Sequence, residues 1–435
     1  MTEGRRTSPG ASDLFEHLQT TGADVVSEAR SRVERIRKGD FSVELVGADG
    51  RPFTGNVRLR LQRHEFRFGA NIHCQWRDHL SDRPDLVAKG LEVVAELFST
   101  GVLLQHWKFS QQSPDAAFDF GRAEEDYAWM GRHGIEPRWH SLVYNDPNGM
   151  VPWCSRVTST GEWWRRIEAF LAAVGEHWSG RCAEYDLMNE MNFRRDWVAT
   201  NNPAFPAVWD PDVGERISRT ARKHLPEARL ALLNYWALGD PESENYRFNM
   251  EYYRQMKRRG APVDLFATQG HHDYGMSPES LRLDRISDGF DELGEIGPVA
   301  VTEFNGLCRN KGRDDPKLMT DEQAAQWTVE FYTLVFSKPY VTGLTHWFVF
   351  DELSGDKLDA GLLTLDGKEK AECRALRELL TRQWRTDWRG PAGHDGIVRF
   401  RGFFGTYDVI IGGRRCGGIG LLAEGPRSVR VQVEP

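Results

Sequence analysis

The sequence has no run of 18 apolar residues, the length that a helix needs to cross a bilayer. Its first 17 residues also lack the apolar segment of a secretory signal, so we expect a cytoplasmic protein without a membrane partner. Basic residues number 56 and acidic residues 64, which gives a net charge of −8. This balance argues against a general nucleic-acid binder or a binder of anionic membranes.

Motifs for metal, phosphate and serine-nucleophile chemistry are absent as well. No HExxH or GxSxG motif occurs, and the six cysteines stand singly, which favours reduced and mostly buried thiols. The segment His271-His272-Asp273 has no third ligand at a fixed spacing, so we expect no metal and no cofactor. The glycine-rich residues 412–420 do not lead from a strand into a helix, which favours a hairpin loop over a phosphate site.

Aromatic residues are abundant by contrast, with 15 Trp, 23 Phe and 11 Tyr among 435 residues. So many rings either fill a large core or line a site that stacks on flat apolar faces, such as those of sugars and bases. The chain is otherwise 40% hydrophobic and 28% charged, which is typical of a globular protein and not of a disordered one.

Short apolar runs alternate with longer amphipathic segments over the middle of the chain. The predicted strands are Phe66–Ile72, Val102–His106, Glu136–Val143, Ala183–Met188, Arg229–Asn234, Leu265–Gln269, Pro298–Glu303 and Gly343–Phe350. The predicted helices between and after them are Leu86–Leu97, Phe120–Arg132, Glu162–Trp178, Gly214–Lys223, Tyr246–Arg259, Leu281–Leu293, Glu322–Phe336 and Glu369–Arg382. Eight strand–helix units require parallel strands with crossovers, and they predict an α/β fold, a (beta/alpha)8 TIM barrel.

Both ends of the chain show strand-like alternation outside this pattern. We expect residues 1–40 to form a tail and a helix, and residues 64–388 to form the barrel. Residues 41–63 and 389–435 are predicted to supply strands that pair into one small beta unit beside the barrel.

Two of the predicted strands end in glutamate. The fourth runs into Asn189 and Glu190, and the seventh runs into Thr302 and Glu303. Functional groups of such barrels lie at the carboxyl ends of the strands, so these two carboxylates can face each other across the barrel mouth. Paired carboxylates about 5 Å apart are the apparatus of a retaining glycosidase.

Several short motifs, in chain order and at the predicted strand ends, together resemble glycoside hydrolase family 10, the endo-beta-1,4-xylanases. Besides the two glutamate motifs they are Phe66-Arg-Phe-Gly69, Arg138-Trp-His140, Asn234-Tyr235, Gln269-Gly-His271 and Thr345-His-Trp347. The resemblance covers about residues 40–410 and implies a hydrolase that cleaves a beta-glycosidic bond by double displacement.

The sequence also departs from the family pattern. The second strand of the family offers Glu-Asn followed by Lys, whereas this chain has Leu104 and Gln105 and keeps Lys108. The third-strand motif continues differently, as Tyr144-Asn-Asp-Pro147, and the loop from Ser354 lacks the Trp that often covers the sugar. Since hydrogen-bond partners determine sugar selectivity strongly, we expect an altered glycone subsite.

The resemblance implies that Glu190 is the general acid/base and Glu303 the nucleophile. Chemical reasoning adds that Gln269 can orient the acid/base, while His271 and Tyr235 are candidate donors near Glu303. The expected contacts to substrate are made by Lys108, His140, Asn189, Tyr235, Gln269, His271 and Trp347, with Trp347 as a stacking platform. Trp107 and Trp76 are expected in the core.

The expected partner is a carbohydrate or glycoside, and the favoured substrates are oligosaccharides. One alternative is a glycosidase for a small plant or secondary-metabolite glycoside. Another is a sugar-binding relative without activity, although two facing carboxylates argue against that interpretation because binding alone does not need them.

Overall fold

The computed structural model describes residues 11–73, 76–193, 195–235, 237–352 and 357–433. Its strands are β1 (Lys38–Gly47), β2 (Asn56–His64), β3 (Arg67–Asn71), β4 (Thr100–Leu104), β5 (Glu136–His140), β6 (Val143–Tyr144), β7 (Glu184–Asn189), β8 (Arg229–Asn234), β9 (Leu265–Thr268), β10 (Val299–Phe304), β11 (Val341–His346), β12 (Asp387–Pro391), β13 (Ile397–Phe403), β14 (Gly405–Ile411), β15 (Arg414–Leu421) and β16 (Ser428–Val433).

The α-helices alternate with these strands, and several of them begin at a side-chain cap that the sequence supplies. They are α1 (Ala11–Ile36), α2 (Trp76–His79), α3 (Pro84–Leu97), α4 (Trp107–Ser110), α5 (Gly121–His133), α6 (Thr160–Trp178), α7 (Arg195–Asn201), α8 (Pro211–His224), α9 (Glu244–Arg258), α10 (Leu283–Ile296), α11 (Asp321–Ser337) and α12 (Ala371–Glu378). Thr320 and Gln323 form a capping box at the start of α11, and Asp210 caps α8 just before Pro211.

Eight parallel strands close into a barrel within the part of the chain that the structure describes. Neighbouring strands follow the order β5-β4-β3-β11-β10-β9-β8-β7, and the pairing of β5 with β7 completes the ring. The two-residue strand β6 extends the β5 position beside β7. The predicted TIM barrel is therefore confirmed, and each predicted barrel strand overlaps an observed one.

The last barrel strand differs most from its prediction, which was Gly343–Phe350. It runs over Val341–His346, because the apolar residues after it leave the ladder while remaining buried. Trp347 and Phe348 pack into a small apolar cluster at the mouth of the barrel. Continuous hydrophobicity therefore extended the predicted strand beyond its hydrogen-bonded part.

Helix α1 packs against the outside of the barrel helices. Its apolar residues Leu14, Leu18, Val26 and Val33 belong to the main hydrophobic core, and Gln19 donates a hydrogen bond to a carboxylate of α11. This contact explains why α11 is buried along most of its length, since its outward face is covered.

The strands from the two chain ends form two small sheets beside the barrel. One has the order β13-β1-β16 and the other the order β12-β2-β14-β15. Phe400 of the first sheet contacts Trp388 and Tyr407 of the second, with ring centroids 6.2 and 5.8 Å apart. The N- and C-terminal segments thus share one packed unit, as predicted, although its strands are divided between two sheets.

The glycine-rich residues 412–420 are only partly a loop. Gly412 and Gly413, with φ of 56° and 82°, form the two-residue turn, and their left-handed backbone suits glycine. The prediction of a hairpin loop over the whole cluster is wrong, because Arg414–Leu421 pairs with β14 as a strand. The high glycine content concealed this edge strand.

Much of the tryptophan excess lies in the core. Trp139, Trp163, Trp178 and Trp327 are fully buried. The two tryptophans predicted to be core residues are also buried: Trp107 stacks on a phenylalanine ring at 4.8 Å, and Trp76 contacts another at 5.2 Å. Of the two alternatives that composition left open, the core therefore accounts for these six tryptophans.

No described helix is long and apolar enough to cross a membrane. Cys182, Cys308 and Cys373 are buried free thiols, while Cys74 lies outside the described residues. The predicted N-terminal tail up to residue 10 and residues 353–356 of the loop after the last barrel strand also lie outside them.

Candidate active site

A cavity of about 490 Å³ opens at the carboxyl ends of the barrel strands. The sequence-predicted residues that line it are Glu190, Glu303, His140, Asn189, Tyr235, Gln269, His271 and Trp347. Lys108 is not among the lining residues; it lies in α4, with its ammonium 5.0 Å from the centre of the Phe109 ring. Eight residues from the ends of six barrel strands therefore meet at one cavity.

A larger and more open cavity of about 670 Å³ lies on the sheet that contains β2 and β14. Its arginines pair with acidic neighbours: Arg58 binds Asp387, and Arg415 binds Asp408. Because this cavity lacks facing carboxylates, the barrel mouth is the better candidate for catalysis.

Glu190 is held in an unusual backbone conformation at the end of β7. Its φ is 51°, in the left-handed region, where a residue other than glycine costs roughly 1–3 kcal/mol. The Glu190 amide donates to the carbonyl of Leu233 at 3.1 Å, and the Tyr144 hydroxyl donates to its carboxylate at 2.7 Å. The surrounding contacts thus fix both backbone and side chain.

One amide group connects the two carboxylates. Gln269 Nε2 lies 2.9 Å from Oε1 of Glu190 and 3.2 Å from Oε1 of Glu303. The same nitrogen lies 3.1 Å from Oδ1 of Asn189. The two glutamates therefore share a common donor across the cavity floor.

Burial and the charge of Glu303 raise the pKa of Glu190 above its ordinary value, despite the donors from Gln269 and Tyr144. Burial also acts to raise the pKa of Glu303, but there the hydrogen bond from His271 and the positive charges of His140, His271 and Arg138 outweigh it. The pKa of Glu303 is therefore lowered. The two carboxyls have opposite shifts, the arrangement that separates an acid from an ionised partner.

Two histidines flank Glu303. His271 Nε2 lies 3.2 Å from Oε2, and its other ring nitrogen contacts Asn305 at 2.6 Å. His140 Nε2 lies 3.8 Å from Oε1 of Glu303. Both rings present a nitrogen to the buried carboxylate, which stabilises its ionised form.

A buried network of charged side chains orients the ring of His140. Its Nδ1 lies 2.7 Å from Asp186, and Asp186 pairs with Arg138. Arg138 also binds Glu184 at 2.6 Å. Since a carboxylate on one imidazole nitrogen fixes the ring and its tautomer, this network directs Nε2 of His140 towards Glu303.

The flanks of the cavity differ in chemistry. On the side of β11 and β4, the lining residues Trp347, Phe348, Leu104, Cys308 and Leu358 belong to one apolar cluster. On the side of β7 and β8, Tyr235 lies between two rings, 6.1 Å from His271 and 6.3 Å from Phe193.

The two adjacent histidines of the segment His271-His272-Asp273 point to different parts of the structure. His271 points to Glu303, whereas His272 packs against Trp327 and Phe331 at 5.0 and 5.1 Å, and burial lowers the pKa of His272 to about 3. Among the described residues, no group of three or more His, Cys, Asp or Glu is arranged to hold a metal ion.

Comparison with known proteins identifies the family of this barrel. The family model of "Glycosyl hydrolase family 10" matches residues 92–363. The chain belongs to glycosyl hydrolase family 10. The resemblance inferred from its short motifs is thereby confirmed.

Its relatives in family 10 are distant. Endo-1,4-beta-xylanase 2 of Arabidopsis thaliana is 24% identical over 417 residues, covering 93% of this chain and 35% of that protein. Beta-1,4-xylanase of Dictyoglomus thermophilum is 26% identical over 259 residues, covering 57% of this chain and 69% of that protein. The chain spans only about a third of the length of the Arabidopsis relative.

The fold agrees with a solved family 10 structure. Xylanase 10B from Thermotoga petrophila, in complex with xylobiose, superposes with a TM-score of 0.58 at 17% identity, covering 82% of this chain and 97% of that chain. At this identity the likeness establishes the shared barrel alone.

Several cavity residues of this family 10 chain were not predicted as site residues. They include Tyr144, which donates to Glu190, and Leu104, His106, Phe193 and Asn305, which line the cavity. Tyr144 and His106 stood in motifs that departed from the family pattern, so the departures themselves were a usable signal. Phe193 offered no such signal, because a lone phenylalanine four residues after a strand is ordinarily a core residue.

Proposed function

We propose that this chain is a retaining glycoside hydrolase that cleaves a beta-glycosidic bond, with Glu190 as acid/base and Glu303 as nucleophile. The observation that carries the proposal is the pair of carboxylates bridged by Gln269, with opposite pKa shifts, at the mouth of a family 10 barrel. Its substrates are oligosaccharides or small glycosides.

In the first step Glu303 attacks the anomeric carbon and Glu190 gives its proton to the departing glycosidic oxygen. The bond to the leaving group breaks as the bond to Glu303 Oε forms. In the second step Glu190 takes a proton from water, whose oxygen attacks the anomeric carbon and releases Glu303. The product keeps the beta configuration because two inversions cancel.

The spacing of the carboxylates supports double displacement. The oxygens that contact Gln269 lie 2.9 and 3.2 Å from one nitrogen, so their separation cannot exceed the sum of these distances. This limit on one oxygen–oxygen distance is compatible with carboxyl groups roughly 5–5.5 Å apart, the spacing of retaining enzymes, which need no water molecule between the carboxylates in the first step.

Neighbouring polar groups suit a sugar ring at this position. Asn189 precedes the acid/base and lines the cavity, where its amide can bind a 2-hydroxyl, a contact that strengthens in the transition state. His140, oriented by Asp186, can contact another hydroxyl of the same ring.

The residues of the second barrel strand support an altered glycone subsite. Leu104 presents an apolar side chain to the cavity. Gln105 is buried, and its amide donates to Ser110 at 2.9 Å, within the protein. Neither position therefore offers the carboxylate and amide that xylanases of this family use, which favours a glycone other than an extended xylan chain.

A panel of beta-glycosides tests the function. Aryl xylosides, glucosides and the matching disaccharide glycosides are incubated with wild type and with Glu303→Ala, and the released products are quantified. We expect wild type to hydrolyse at least one glycoside, with little gain from the second sugar. No turnover across the panel would instead favour the sugar-binding relative without activity.

Replacing Tyr144 by phenylalanine tests the assignment of the acid. The Tyr144 hydroxyl stabilises the ionised form of Glu190, so its loss raises the pKa of Glu190 further. Glu190 must be protonated for the first step, so activity falls as pH rises through this pKa. We therefore expect the alkaline limb of the kcat/KM profile to move to higher pH in Tyr144→Phe.

The acidic limb serves as the internal control for this variant. It reports ionisation of Glu303, whose hydrogen-bond donor His271 and neighbour His140 are retained, and it should stay in place. An alkaline limb that stays in place or moves to lower pH would contradict the role of Glu190.

A further inference from the structure

An exposed aromatic ring stands at the rim of the catalytic cavity. Phe193 is 40% exposed, and among the described residues only Leu422 is a comparably exposed large apolar side chain. Unlike Leu422, Phe193 lines the cavity that contains both glutamates. Since exposed apolar residues that stand singly are normal, the place of Phe193 at the edge of the catalytic cavity, and not its exposure alone, points to a ligand contact.

The backbone around Phe193 is anchored although its ring is exposed. The Phe193 amide donates to the carbonyl of Glu190 at 3.0 Å. Asn192, directly before it, accepts from Asn234 at 2.7 Å and donates to Asn245 at 2.8 Å. The position of the ring is therefore coupled to the carboxylate of Glu190 through a short, hydrogen-bonded turn.

The location of this ring relative to Glu190 identifies the part of the substrate that it borders. A general acid must touch the oxygen of the leaving group, so a residue held in the same turn as Glu190 borders that group. Phe193 lies in this turn, which follows β7, and its ring contacts that of Tyr235 on the segment that follows β8. The opposite flank is formed by Trp347 and the apolar cluster around Leu104.

We propose that Phe193, together with Tyr235, selects substrates whose leaving group presents a flat apolar face to the cavity rim. The two rings meet at 60° with centroids 6.3 Å apart, so they offer two differently oriented surfaces to one bound group. A phenolic ring and the apolar face of a pyranose both have this chemistry. This inference rests on the proposed function, since a leaving group exists only if the bond is cleaved.

The test compares leaving groups on one glycone with wild type and Phe193→Ala. The substrates are the aryl glycoside, the disaccharide and the methyl glycoside of a sugar that wild type hydrolyses. The quantity compared is kcat/KM, because it reports the steps up to departure of the leaving group. We expect about a tenfold loss for the leaving groups that stack and a change of less than about twofold for methyl.

Two variants separate a binding contact from a structural role. Phe193→Trp should restore the aryl activity, and Leu422→Ala, which removes the other exposed apolar side chain away from the cavity, should change none of the ratios. A loss confined to the aryl substrate identifies a phenolic leaving group, and a loss confined to the disaccharide identifies a sugar.

An equal loss for all three substrates, or no loss for any of them, overturns the inference while leaving the proposed function intact. Absence of turnover by wild type instead refutes the proposed function itself. The two failures are therefore distinguishable within one experiment.

Discussion

Replacing Glu303 by alanine is expected to lower kcat/KM for any substrate of this protein by about 10⁴-fold or more, since no other described group is placed to form the glycosyl–enzyme bond. Glu303 is buried, and Nε2 of His271 lies 3.2 Å from its Oε2. The pKa of Glu303 is lowered, although burial alone would raise it. A carboxylate kept ionised in this way is suited to attack at carbon.

Adding azide to Glu303→Ala extends this measurement. Azide is a small anion that can occupy the space left in Glu303→Ala, and its attack gives a glycosyl azide of inverted configuration. Glu330→Ala is a matched control, because it removes another buried glutamate, one that binds Gln19 and Gln326 away from the cavity. Normal turnover in Glu303→Ala, or no azide product, would remove Glu303 from the mechanism.

Replacing Glu190 by glutamine is expected to lower kcat/KM by about 10²–10⁴-fold for leaving groups that need a proton. Glutamine keeps the size of the side chain and can still contact Tyr144 and Gln269, but it cannot donate an acidic proton. A glycoside of an acidic phenol needs little protonation, so its kcat/KM should fall far less. The alkaline limb of the pH profile should disappear.

The comparison across leaving groups is what tests the role of Glu190. Equal losses for acidic and weakly acidic phenols would indicate a positioning role. Glu190 has a left-handed backbone conformation, which a substitution can destabilise. The thermal unfolding of Glu190→Gln should therefore be measured beside its kinetics, to confirm that the variant is folded.

The barrel could be predicted from the sequence because one pattern, a short apolar run followed by an amphipathic segment, repeats along the chain. A strand buried on both faces appears as a short apolar run, and each is followed by an amphipathic helix. Arg229–Asn234 was predicted with its observed bounds, and Glu190 and Glu303 were located by the rule that functional groups follow parallel strands.

Other features depended on contacts that no local pattern encodes. The direction of Gln105 is decided by Ser110, which lies five residues further along the chain and accepts a hydrogen bond from its amide. Phe193 has the composition of a core residue and differs from one only in its exposure. The strand Arg414–Leu421 was hidden because glycines occupy its exposed edge.

The account can be tested most directly by following the anomeric proton of the first product by NMR while wild type hydrolyses a beta-glycoside from the panel. Double displacement through Glu303 predicts that the beta anomer appears first and that the alpha anomer accumulates later by mutarotation. Initial release of the alpha anomer would contradict the assignment of Glu303 as the nucleophile and Glu190 as its acid/base partner.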